Sequence, residues 1–114
     1  MVKLYGIPNC DTIKKTRQWL KNQGIAYEFH DYKKAGVDER RLRQWVETLG
    51  WESLLNRRGT TWRKLDDAVK ANLDEAGAIQ LMLQTPSIIK RPLLDNGKSL
   101  HLGFKADEYS RIFS

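Results

Sequence analysis

The chain has 114 residues, 40% of them apolar and 30% charged, with 20 Lys and Arg against 14 Asp and Glu for a formal net charge of +6. That mixture suits one compact domain with a modest core and excludes a disordered chain. One cysteine excludes an intramolecular disulfide and any CxxC pair, and two histidines far apart in sequence, His30 and His101, argue against a metal site.

Val2–Gly6 alternates Val2 and Leu4 with Lys3 and Tyr5, the period of a strand. Gly6, Pro8 and Asn9 are turn residues. A helix then runs from about Asp11 to Gln23, with Asp11 and Thr12 in its first turn, Ile13, Thr16 and Leu20 inward, and Gly24 at its stop. The aromatic run 26–32 predicts a second strand, and 33–38 a loop. Asp38 caps the next helix, which carries Leu42, Trp45, Val46 and Leu49 on one stripe and ends at Gly50. A short helix is expected at Trp51–Leu55, a loop at Arg57–Thr60, and a helix at Thr61–Ala71 with Leu65 and Val69 inside. Asn72 or Asp74 caps a further helix to about Gln84, with Ala76, Ile79, Met82 and Leu83 on one face, and Pro86 marks its end. Asn96-Gly97 predicts a type I′ hairpin turn between Leu93-Leu94 and Leu100-Leu102. A last helix from about Lys105 to Phe113 docks Ile112 and Phe113.

Two strands joined through a helix should lie parallel with a right-handed crossover, and the hairpin adds an antiparallel pair. The expected fold is therefore α/β: one thioredoxin-like domain over 1–114, a mixed four-stranded sheet with flanking helices and a helical insertion at about 38–71. No run approaches the ~18 apolar residues of a membrane span. The opening MVKLYGIPNC lacks the apolar stretch of a secretory signal, so a cytoplasmic protein with a reduced thiol is expected. The basic balance favours an anionic small molecule, an acidic protein face or nucleic acid as partner. Neither a recognition-helix pattern nor a basic arm speaks for nucleic acid.

On this plan Cys10 ends the first strand and starts the first helix. The unpaired amides of the first turn and the helix dipole favour its thiolate, lowering the pKa below the usual value of about 8.5. Lys14 adds positive charge and Asp11 acts the other way. The alternative is a small apolar filler. Arg91 is either a bidentate clamp for an oxyanion or carboxylate or a solvated edge charge. Pro92 begins a strand, where proline is confined to the first residue, an edge or a bulge.

The segments YGIPNCDTIKK, LLNRRGTTWRKL, LMLQTPSIIKRPLL and GKSLHLGF follow one another in the order and spacing of a known family. The chain resembles the ArsC/Spx family of thioredoxin-fold proteins, most closely its small YffB-type branch. The resemblance implies that Cys10 is the nucleophile, that Arg91 holds the anion in arsenate reductases, and that the Arg91-Pro92 bond is cis. It also marks departures. The family's second arginine falls on Asn56, with Arg57 and Arg58 the nearest candidates. Its third falls on Leu102, and the glycine after the cysteine is Asp11. Arsenate carries about two negative charges, so a site short of arginines should reduce it inefficiently. The second cysteine of the Spx switch falls on Ile13.

The resemblance thus implies a glutathione-dependent thiol/disulfide reductase. Cys10 and Arg91 would be catalytic, and Asn9, Asp11, Thr12, Lys14, Arg57, Arg58 and Pro92 would line the glutathione or substrate site. Glutathione would serve as co-substrate, with no bound cofactor and no metal, in a monomer. The rival expectation is an Spx-like regulatory protein whose helix bearing Arg40, Arg41 and Arg43 docks an acidic face, for example on RNA polymerase.

Overall fold

The computed structural model describes residues 1–114. In chain order its elements are β1 (Val2–Gly6), α1 (Asp11–Asn22), β2 (Tyr27–Asp31), α2 (Tyr32–Ala35), α3 (Glu39–Leu49), α4 (Trp51–Leu54), α5 (Thr60–Arg63), α6 (Asp67–Ala71), α7 (Glu75–Gln84), a 3-10 turn (Pro86–Ile88), β3 (Leu93–Asp95), β4 (Leu100–Leu102) and α8 (Ala106–Ile112). They fall into two compact units, one of Met1–Asp31 with Arg91–Ser114 and one of Tyr32–Lys90.

The first unit holds the whole sheet, in the order β2-β1-β3-β4. β1 pairs in parallel with β2, and antiparallel pairs join β1 to β3 and β3 to β4. This is the mixed thioredoxin-like sheet expected from the β-α-β and hairpin pattern. The register places Leu4 opposite both Phe29 and Leu94, so the three share one face. That face, with Val2 and Tyr27, packs on Trp19 and Leu20 of α1, on Tyr109 and Ile112 of α8 and on Phe113 just beyond it. Trp19 meets Tyr109 edge-on with centroids 5.6 Å apart, and Phe104 meets Tyr109 at 4.8 Å. These are the separations that favour aromatic pairs beyond their area. Tyr109 is fully buried, and its hydroxyl donates to the Gly103 carbonyl at 3.4 Å. Burial pushes its phenol up, with Glu108 adding to the shift. The sequence reading put Ile112 and Phe113 in this core. The residue at its centre is Tyr109, one turn earlier on the same stripe.

The hairpin departs from the type I′ expectation. Asp95 pairs with Leu100, which leaves a four-residue connection. Gly97 has φ +88, while no residue other than glycine has positive φ. Asn96 instead uses its side chain: Oδ1 accepts from the Lys98 and Ser99 amides at 2.9 and 2.8 Å. An Asx-type turn of this kind satisfies the amides that a tighter backbone turn would pair.

In the second unit α3 is built as its sequence reads. Asp38 accepts from the Arg41 amide at 3.0 Å, and Leu42, Trp45 and Val46 are buried. α7 is capped by Asp74, which accepts from the Gly77 amide at 2.8 Å. It buries Ala78, Ile79 and Met82, leaving Ala76 exposed. Two expectations fail here. Residues 33–38 are not all loop, since Tyr32 anchors the one-turn α2 by its burial. The expected 61–71 helix is two pieces, α5 and α6, parted by an extended Asp66. Trp62 and Leu65 are half-buried, but the next four residues, Asp66, Asp67, Ala68 and Val69, are exposed, Val69 by 43%. A segment with so little to bury has nothing to hold a continuous helix in place.

Candidate active site

The site grows from the junction of β1 and α1. β1 ends at Gly6, and the chain turns through Ile7, Pro8 and Asn9, with the Cys10 amide reaching back to the Ile7 carbonyl at 3.4 Å. Gly6 has a packing reason. A Cβ there would overlap the Ile13 side chain, and it would stand 3.6 Å from the Arg91 Cβ. Glycine here leaves room for the Ile13 side chain of α1 to close on the end of β1.

Cys10 is the N-cap of α1, extended at φ −97 and ψ 131, and its carbonyl accepts the Lys14 amide at 3.0 Å. Its thiol is half-buried. Burial alone pushes the thiol pKa up. The Ile13 amide, the Arg91 side chain that hydrogen-bonds the sulfur, the Thr12 amide and the Arg91 charge outweigh it, and the net direction is down. The two amides are the second and third donors of the helical turn, the positions an N-cap side chain ordinarily meets. Lys14 and Asp11, the two charges weighed from the sequence, are not among the groups that move the thiol. Asn9, Asp11 and Lys14 are exposed around it, and Thr12 is half-buried.

Arg91 and Pro92 lead into β3. The bond between them is cis. Pro92 is buried, and its carbonyl accepts the Gly103 amide at 2.9 Å, tying the start of β3 to the end of β4. Cys10, Arg91 and Pro92 thus belong to one unit, and Arg91 touches the sulfur. Leu102, where the resemblance sought another arginine, is a half-buried strand residue.

Arg57 and Arg58 belong to the second unit. With Leu55, Asn56 and Lys90 they line an open hollow of about 290 Å³. An antiparallel bridge between Leu55 and Ile89 shapes it, with the Asn56 amide donating to Ile88 and the Lys90 amide to Leu54 at 2.8 and 2.7 Å. Arg57 also reaches Glu52 at 3.7 Å and lies 5.5 Å from the Trp62 ring centre. Lys90 as a lining residue was not foreseen, because nothing in the sequence pairs residue 55 with residue 89. No group of three or more His, Cys, Asp and Glu side chains could hold a metal ion. No helix is long and apolar enough to cross a membrane. The arrangement places a thiol of lowered pKa beside a guanidinium, a pairing able to attack an electrophilic sulfur or to meet an anionic group.

Comparison with known proteins agrees with this fold. The model of the ArsC family matches residues 5–112. A solved structure of a protein called YFFB is 54% identical, each chain covered in full, with a TM-score of 0.95. The solution structure of an arsenate reductase related protein from Brucella melitensis is 51% identical over 99% of this chain and 94% of that one, with a TM-score of 0.81. An uncharacterized protein of Haemophilus influenzae is 44% identical over the full length of both. The global transcriptional regulator Spx of Streptococcus pyogenes is 28% identical over 100% of this chain and 86% of its own.

Proposed function

The chain belongs to the ArsC family, and from that premise we propose that it is a glutathione-dependent thiol/disulfide reductase working through Cys10. The observation that carries this reading is Cys10 at the N-cap of α1, with its thiol pKa lowered by the Ile13 and Thr12 amides and by Arg91. The Cys10 thiolate attacks one sulfur of a substrate disulfide or glutathione adduct. A Cys10–substrate or Cys10–glutathione disulfide forms, and the other sulfur leaves as a thiolate. The chain has no second cysteine, so an external glutathione thiolate attacks the mixed disulfide. It leaves as one half of oxidised glutathione when the adduct is glutathione, and returns Cys10 as thiolate. Arg91 steadies the sulfur anion and can face a substrate carboxylate. Pro92, Asn9, Asp11, Thr12 and Lys14 are candidates for lining the approach, while Arg57 and Arg58, in the second unit, are candidates to meet an anionic group at their own hollow. Arsenate would be a poor substrate, with Asn56 and Leu102 where the resemblance seeks arginines.

The test is turnover of a glutathionylated peptide with reduced glutathione, together with the mass of the trapped protein. Wild type should turn over and carry glutathione on Cys10, while Cys10→Ser should do neither. Equal turnover by Cys10→Ser, or no adduct on wild type, would overturn the reading.

A second reading is a binding protein of the Spx kind. It is favoured by a match to Spx over the whole of this chain and by α3, where Arg40 and Arg43 are exposed and Arg41 is half-buried. Arg43 already pairs with Glu39 at 3.0 Å, which leaves Arg40 as the stronger candidate to meet an acidic partner. Capture of a partner such as RNA polymerase that survives Cys10→Ser but is lost when Arg40, Arg41 and Arg43 are neutralised would favour it.

A further inference from the structure

Ser99 immediately precedes β4, the edge strand of the sheet, and is exposed. Alternation along an extended chain puts it on the same side as His101, two residues on. Its hydroxyl lies 2.8 Å from Nε2 of His101. The other ring nitrogen, Nδ1, faces a carboxylate oxygen of Glu108 at 3.8 Å. A hydroxyl, an imidazole and a carboxylate therefore follow one another in space, and the Cys10 site uses none of them.

The neighbouring hydrogen bonds fix where the hydroxyl proton goes. Two acceptors are within reach of Ser99 Oγ, His101 Nε2 at 2.8 Å and Asn96 Oδ1 at 3.4 Å. Asn96 Oδ1 already accepts the Lys98 and Ser99 amides at 2.9 and 2.8 Å, which occupies both of its lone pairs. The Ser99 proton therefore points to Nε2, and the neutral ring carries its own proton on Nδ1, toward Glu108. That is the order of nucleophile, base and orienting carboxylate by which a weak hydroxyl is activated. The fold holds the last two in place. His101 pairs with Leu94 across β3 and β4, so it lies on the sheet face that α1 and α8 cover, and its side chain is 24% exposed. Glu108 sits in the first turn of α8 beside the fully buried Tyr109, which anchors that helix in the core.

We propose that Ser99, His101 and Glu108 make a second reactive centre, at which the chain hydrolyses activated carboxylic esters through an acyl-Ser99 intermediate. Ser99 Oγ attacks the ester carbonyl carbon while its proton passes to His101 Nε2. The bond from that carbon to the leaving oxygen breaks with its electron pair on the oxygen, which takes the proton from His101. Water then attacks the acyl-Ser99 ester in the same way, giving the carboxylic acid and the free hydroxyl. The surroundings set the substrate class. The amides at the hairpin tip are all engaged, Gly97 with Asp95 Oδ1 and Lys98 and Ser99 with Asn96 Oδ1. None of them is left to hold a developing oxyanion, a role worth about 10²–10³ in rate. The centre therefore suits esters whose alcohol leaves readily, aryl esters above all. It shares no residue with the Cys10 site and stands or falls apart from the reductase reading.

The test is p-nitrophenyl acetate added to the full chain carrying Cys10→Ser, so that the thiol takes no acyl group. A burst of p-nitrophenolate approaching one per chain is expected, with the acetyl group mapped by mass to Ser99 and removed by hydroxylamine, as an oxygen ester is. Adding Ser99→Ala should abolish the burst; this side chain is exposed, so the fold is kept. His101→Gln should slow the burst about 10²-fold, the low end of what a positioned general base supplies. Glu108 is a positioning residue. Glu108→Gln should leave the burst amplitude unchanged and slow it about fivefold, the worth of one screened charge at this separation; a merely structural role would lower the amplitude instead. The absence of a Ser99 adduct would overturn the proposal, as would acetylation confined to Lys98 or other amines. So would a burst that His101→Gln leaves as fast as before.

Discussion

Replacing Arg91 by alanine removes the one side-chain cation that bears on the Cys10 sulfur. Arg91 acts there twice, through a hydrogen bond and through its charge. Unit charges about 4 Å apart attract by about 1 kcal/mol in water and about 4 kcal/mol at an effective dielectric of 20. Both groups are half-buried, so water screens the pair toward the lower figure, about 1–2 kcal/mol. At about 1.4 kcal/mol per pKa unit, the thiol midpoint should rise by about one unit. Alkylation at a pH below both midpoints should slow about tenfold, and the two proteins should react alike above them. Arg91→Lys keeps the charge and loses the planar fork, so its midpoint should fall between the two. Either the ultraviolet absorbance of the thiolate or the alkylation rate reads the midpoint. An Arg91→Ala midpoint equal to wild type would refute the pairing of Arg91 with the sulfur.

Three further outcomes follow from the same structure. Gly6→Ala forces a Cβ into the Ile13 side chain and should cost about 1–3 kcal/mol, read as a lower urea midpoint; an unchanged midpoint would mean the approach is looser than described. Leu20→Ala empties part of the fully buried cluster around Leu4, Leu94 and Tyr109 and should cost about 2–5 kcal/mol in the same assay. The lowered Cys10 thiol also makes stability depend on pH. The folded form releases the proton more readily than the unfolded chain, so the thiolate's contribution is present above the unfolded value of about 8.5 and is lost as pH falls through the folded midpoint. The stability of wild type relative to Cys10→Ser should accordingly grow with pH across that window and then level off, and a flat difference would contradict the shift.

Much of the frame was legible because local pattern and tertiary need coincide in it. Alternation over Val2–Gly6, the Asp38 cap and the Leu42–Val46 stripe each have one reading, and the structure builds each of them. Elements went astray where the local signal was ambiguous or thin. Asn96-Gly97 suits several turns, and the four-residue connection was settled by Asn96 pairing with the Lys98 and Ser99 amides. The 61–71 segment offered a helix little to bury beyond Trp62 and Leu65, and it broke at Asp66. In the site, Cys10 at a helix start was visible from its turn residues and Arg91 from the family pattern. Gly6 read as an ordinary turn glycine, since its tight contact with Ile13 is a matter of packing between β1 and α1. Lys14 and Asp11, adjacent in sequence to Cys10, proved less consequential to its thiol than Arg91, some eighty residues away.

The central claim is that the sulfur of Cys10 exists as an anion more readily than a free cysteine does. The rate of its alkylation by iodoacetamide, followed across pH on the intact wild-type protein, tests that most directly. A midpoint clearly below about 8.5 is the expected result. A midpoint at or above that value would mean that burial outweighs the amides and Arg91, and the nucleophile would be lost with it.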